Sequence, residues 1–79
     1  MKIEVRLFAT LREHAPPDAA GSVFSMNLPE AATLAKVLAK LGIPSEKVHM
    51  RMVNGVGVDE GHVLKENDRI GLFPPIGGG

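Results

Sequence analysis

The chain closes on Pro74-Pro75-Ile76-Gly77-Gly78-Gly79, so three residues without side chains carry a bare α-carboxylate. That carboxylate is the group this sequence offers for chemistry. Glycine has no Cβ, so such an arm enters a channel too narrow for other residues and adopts backbone angles closed to them. The two prolines fix φ and donate no hydrogen bond, so they end the strand-like run Arg69–Phe73 and are expected to hold the arm clear of the body. A frayed terminus without function is the default for most domains. The rigid spacer placed directly after a strand favours a working end. The expected organisation is one folded domain over residues 1–75 and a flexible glycine tail over 76–79.

No other group competes for the role. His14, His49 and His62 share no helical face, and the chain has no cysteine, so a metal site is not expected. Glu30, Glu46, Asp59, Glu60, Glu66 and Asp68 are spread through the chain as turn, cap or surface residues, and the one adjacent pair, Asp59-Glu60, should diverge. No serine sits in a nucleophile-elbow pattern, and no glycine-rich nucleotide cradle follows a strand. The sequence therefore reads as a non-enzyme with no cofactor bound.

The tail needs a body to present it. Lys2 to Leu7 alternates, with Ile3, Val5 and Leu7 on one face and Lys2, Glu4 and Arg6 on the other, which predicts a half-buried strand. Pro16, Pro17, Asp18 and Gly21 punctuate a loop before Phe24, Met26 and Leu28 alternate again. At Thr33 the period changes: Leu34, Val37, Leu38 and Leu41 line one side of a helix of about ten residues, the usual length in globular domains. Thr33 is the expected hydroxyl N-cap, and Gly42 with Pro44 the expected stop. Val48, Met50 and Met52 then alternate with His49 and Arg51, Asn54-Gly55 signals a tight hairpin into Val56–Val58, and Ile70 and Leu72 face the core in the last strand. Two strands, a helix and three more strands predict an α+β fold in which a single main helix covers one face of a mixed sheet. The β-grasp, or ubiquitin-like roll, fits this order, with the first and last strands side by side at the sheet's centre.

In that frame Phe8 and Phe73 fall on the parity opposite Leu7 and Leu72. The two rings are expected on one exposed face with Arg6, Arg51 and His49, just below the tail, as an apolar patch rimmed by charge of the kind that marks a protein contact. The same spacing also fits a bulge that folds one ring into the core.

Composition narrows the partners. Nine basic and nine acidic residues among 79 leave no net charge, which argues against a nucleic-acid or lipid-surface role. There is no leader-like or membrane-spanning apolar run, so a cytoplasmic protein is expected.

The run Leu7-Phe8-Ala9-Thr10-Leu11-Arg12-Glu13, Pro29-Glu30 and Thr33 before the helix, Val53-Asn54-Gly55, the Asn67-Asp68 turn, and Phe73-Pro74-Pro75 through Gly78-Gly79 together resemble the MoaD/ThiS sulfur carriers. Among them the resemblance is to the small subunit of molybdopterin synthase. It implies that an E1-like enzyme uses ATP to adenylate the carboxylate of Gly79, and that a sulfur donor protein replaces AMP to leave a thiocarboxylate. It also implies that Gly77 and Gly78 thread a partner's channel, and that Phe8, Arg6, Arg51, Phe73, Pro74 and Pro75 meet the partners. The large subunit of molybdopterin synthase would receive the tail for molybdenum or tungsten cofactor synthesis. Two features depart from the family pattern: a third glycine, Gly77, and Asn67-Asp68 where Gly-Asp is usual. Thiamine-thiazole synthesis, another thiolation route and a ubiquitin-like protein modifier are the alternative destinations of the same activated glycine.

Overall fold

The structure, a computed structural model, describes residues 1–19 and 21–75. Five strands form one sheet: β1 (Lys2–Leu7), β2 (Val23–Asn27), β3 (Met50–Val53), β4 (Val56–Gly57) and β5 (Arg69–Phe73), in the order β2-β1-β5-β3-β4. β1 pairs antiparallel with β2 and parallel with β5, and β5 pairs antiparallel with β3. The first and last strands therefore lie side by side in the middle of a mixed sheet, as the β-grasp requires.

One helix, α1 (Leu34–Leu41), covers a single face. Its stripe of Leu34, Val37 and Leu38 packs into a buried cluster with Ile3, Val5 and Leu7 of β1 and with Ile70 and Leu72 of β5. Each of these side chains is essentially removed from water, and burying one contributes about 1.5–3 kcal/mol. A helix of eight residues does not persist in water by itself, so this burial is what keeps α1 folded.

The helix ends divide into an expected and an unexpected case. Gly42 adopts φ 71°, its N–H bonds the Ala39 carbonyl at 3.2 Å, and the Ile43 N–H reaches the Leu38 carbonyl at 3.0 Å. That is the left-handed stop the sequence predicts, closed by buried Ile43. At the other end Thr33 occupies the cap position, but its hydroxyl makes no capping bond. The free donors are taken by backbone instead: Leu34 N–H bonds His62 O and Ala35 N–H bonds Glu60 O, each at 3.0 Å. A bridge between Thr33 and Val63 holds this segment beside the helix start, so carbonyls 25 and 28 residues downstream of the donors replace the side-chain cap.

Turn chemistry follows the sequence closely. Asn54 and Gly55 both have positive φ, 53° and 83°, the pattern of a two-residue hairpin whose twist matches its strands. Asn67 takes φ 68°, so asparagine serves there in the left-handed region. Asp68 behind it is buried, with its carboxylate accepting from Asn54 Nδ2 and the Lys65 N–H, both at 2.8 Å. A short 3₁₀ segment, Ala9–His14, also follows β1 and buries Leu11; the alternation before it gives no sign of this turn.

Arg51 departs from the expectation. It pairs with Leu72 across the sheet and so lies on the helix side, not with Phe8 and Phe73. Its Nη2 and Nε donate to Glu60 Oε2 at 2.5 and 3.0 Å, and Nη2 also bonds the Ser45 carbonyl at 3.1 Å. The Ser45 hydroxyl donates to the same carboxylate oxygen. The apolar alternation of Val48, Met50 and Met52 with His49 and Arg51 places Arg51 outward in sequence, but Val48 is not part of that strand. Val48 belongs to the end of a 3₁₀ turn (Ser45–Lys47) and stands outside β3, whose true inward anchor is Val53.

The hydrogen bond from Ser45, with those and the charge of Arg51, holds the Glu60 carboxyl below its ordinary value of 4.5. A lowered folded pKa stabilises the fold above that value, and the contribution is lost as pH falls through the folded pKa. Glu60→Gln should therefore lower the melting temperature near neutrality, by about 4–8 °C for each kcal/mol lost. The gap between variant and wild type should close below pH 4.5, as followed by thermal melts across pH.

Candidate functional site

Because β1 and β5 are parallel and Leu7 pairs with Leu72, the next residues, Phe8 and Phe73, emerge together on the sheet's outer side. Their rings stack with centroids 4.1 Å apart and planes 9° from parallel. The alternative of a bulge turning one ring into the core is thereby excluded. Phe8 N–H donates to the Leu72 carbonyl at 3.1 Å, and His49 N–H donates to the Phe73 carbonyl at 2.7 Å. Both neighbouring strands thus hold β5 until its last residue, and the chain leaves the sheet at the edge of the aromatic stack.

The face below the stack is a shallow hollow of about 320 Å³. Gly71 forms its floor: a Cβ there would stand 3.4 Å from Phe73 Cε1 and 3.6 Å from Phe8 Cε2. Arg6 lies across the sheet from Gly71 on β1, Met52 lies across from it on β3, and Arg69 lies two residues back along β5. Met50 pairs with Phe73 and is 46% exposed, which extends the apolar row over three strands.

Of the residues expected on this surface, Phe8, Phe73 and Arg6 are brought together, and Arg51 is not. His49 is exposed in the bend before β3, outside the alternation of that strand. Pro74 departs as well. It continues the inward row of Ile70 and Leu72 and is buried, so it seats the end of the strand on the body and only Pro75 is exposed. Gly77, Gly78 and Gly79 lie outside the described residues. Met50, Met52, Arg69 and Gly71 were not singled out from sequence. Counting back from the Asn54-Gly55 turn through inward Val53 would have placed both methionines outside, and parity with Phe73 would have placed Gly71 and Arg69 there.

Among the described residues no three His, Asp or Glu side chains gather as a metal site, and no helix is long and apolar enough to cross a membrane. What the geometry provides is a rigid, partly apolar platform immediately beside a chain end.

The fold is that of the ubiquitin-like β-grasp, the fold of small carrier and modifier proteins. The chain belongs to the ThiS family, whose profile matches residues 5–79, and so is a MoaD/ThiS sulfur carrier by family. No protein of curated function matches it. Among solved structures it is similar to SAMP1 from Haloferax volcanii, with 25% identity, full coverage of both chains and a TM-score of 0.75. It is similar to the Pyrococcus furiosus protein assigned as subunit 1 of molybdopterin converting factor, with 25% identity over 95% of this chain and 98% of that one and a TM-score of 0.72. A chain of the complex of subunits 1 and 2 of molybdopterin-converting factor from Helicobacter pylori matches over the full length of both, with 25% identity and a TM-score of 0.65.

Substitutions at two positions separate platform from core. Phe73→Ala should cost less stability than the roughly 3–5 kcal/mol of a buried Phe→Ala, because the ring is half exposed and its stack adds only about 0.5–1.5 kcal/mol. Gly71→Ala should be tolerated in a denaturant melt, whereas Gly71→Leu must push the rings apart and should lower the melt midpoint while circular dichroism still shows the fold.

Proposed function

We propose that this chain is the small, sulfur-donating subunit of a molybdopterin synthase. An E1-like partner uses ATP to convert the Gly79 carboxylate into an acyl adenylate, releasing pyrophosphate. Sulfur at the sulfide level, brought by a donor protein, then attacks the acyl carbon. The C–O bond to AMP breaks, a C–S bond forms, and a thiocarboxylate remains. A carboxylate cannot donate its acyl group until it carries such a leaving group, and a chain without cysteine has no thiol of its own to hold the sulfur. Catalysis then belongs to the partners, and this chain supplies the acyl group and the handle.

The observation that carries the reading is the Phe8–Phe73 stack at the point where the central strand leaves the sheet. A partner that grips the stack holds the chain at the point where it leaves the sheet, so whatever follows Pro75 is presented from a fixed position. The likeness to a chain from the complex of subunits 1 and 2 of molybdopterin-converting factor supports a large catalytic subunit as the second partner. The likeness to SAMP1 favours a second reading, a modifier whose activated glycine is taken by a lysine amine. Thiazole synthesis would use the same carrier chemistry with a different acceptor.

Intact mass after incubation with the adenylating enzyme, ATP and a sulfur source separates these outcomes. A gain matching one oxygen-to-sulfur exchange at Gly79, with molybdopterin formed on adding the large subunit, is expected. Isopeptide adducts on other proteins would instead establish the modifier, and a chain lacking Gly78 and Gly79 that still supports cofactor synthesis would end the carrier reading.

A further inference from the structure

The outer face is not uniformly apolar. Its end next to Pro74 is made of Phe8, Phe73 and Met50, whereas Arg6 stands level with Gly71 on β1 and Arg69 lies two residues further back on β5, so two guanidinium groups flank the glycine. The missing side chain at Gly71 leaves a notch between them, walled by the aromatic stack on one side. Among the described residues Glu4 is the one carboxylate lining this hollow, and its contact with Arg6 is a loose 3.9 Å between two exposed side chains. Such a pair holds neither partner firmly. Arg69 makes no ion pair among the described residues. A second hollow of about 260 Å³ adjoins the first through Glu4 and Arg69, so the concave face runs on past the arginines.

We propose that the notch over Gly71 is the orienting subsite of the face, and that it receives a carboxylate-bearing loop of the adenylating partner between Arg6 and Arg69. This deepens the carrier reading and rests on it. The occupant follows from chemistry and reach. Two guanidiniums beside a patch of bare backbone form a fork for a carboxylate, while the adjoining rings accept an apolar neighbour on the same loop. In the proposed cycle the reacting end stands four residues beyond Pro75, at most about 14 Å of extended chain. The enzyme that activates it must therefore lie against this face. Apolar contact at the stack sets how long the complex lasts, and the arginines set how fast and in which orientation it forms. The chain carries no net charge, so steering must come from this local pattern.

The test is the association kinetics of the full-length chain with its cognate E1-like adenylating enzyme, measured by stopped flow at low and high salt. Reversal of both charges, Arg6→Glu with Arg69→Glu, should lower the association rate by about tenfold at low ionic strength and remove most of its salt dependence, with the dissociation rate little changed. Glu4→Gln, which removes the competing carboxylate, should raise the association rate. Phe73→Ala should instead speed dissociation and leave the salt dependence intact. All four side chains are at least partly exposed, and thermal melts verify that the variants fold. Wild-type binding whose association rate is unmoved or raised by the double reversal would overturn the acidic-loop proposal while leaving the carrier reading standing. Absence of any wild-type complex would overturn both.

Discussion

Parallel strands cannot be joined by a tight turn, so the pairing of β1 with β5 commits all of the chain between them to a crossover. Everything between, including α1 and the β3–β4 hairpin, is arranged around that central pair. The consequence for the terminus is direct. Both strands run the same way and finish level with each other, so the residues that follow Leu7 and Leu72 meet side by side. The stack of Phe8 on Phe73 is thus a product of register before it is a product of ring attraction.

The two faces of the sheet then divide the work. On the inner face Ile3, Val5, Leu7, Ile70 and Leu72 are sealed by the leucine stripe of α1, and this burial supplies the stability of a small domain. On the outer face the same strands present aromatic, methionine and arginine side chains over the bare backbone of Gly71. β3 serves both at once. Arg51 fastens it from the inner side to Glu60 and Ser45, while Met50 and Met52, its immediate neighbours, project outward. The polar latch therefore lies behind the platform, on the opposite side of the sheet.

Several features were legible because they rest on local periodicity or on backbone angles few residues tolerate. The alternation of Lys2–Leu7, the helical stripe from Leu34 to Leu41, the left-handed Gly42 and the Asn54-Gly55 turn all belong to that kind. The outward parity of Phe8 and Phe73 also needed only alternation. Arg51 was misplaced because a strand of four residues, Met50–Val53, offers too short a pattern to fix its own parity, and buried Val48 just outside it pointed the wrong way. The Thr33 cap failed for a different reason: the carbonyls of Glu60 and His62 reach the helix donors first, and nothing near Thr33 in sequence announces them. Its backbone restriction marks Pro74 as a spacer and the family resemblance marks it as a partner contact, yet its parity with Leu72 carries it inward.

By itself the sequence determined the secondary elements, the α+β class and a chain end freed of side chains, because each of these depends on spacing and on the stereochemistry of single residues. Only the tertiary structure decided which side chains share the outer face. That outcome rests on the register between strands far apart in the chain, and in a pleated sheet a shift of one residue moves every side chain to the other side.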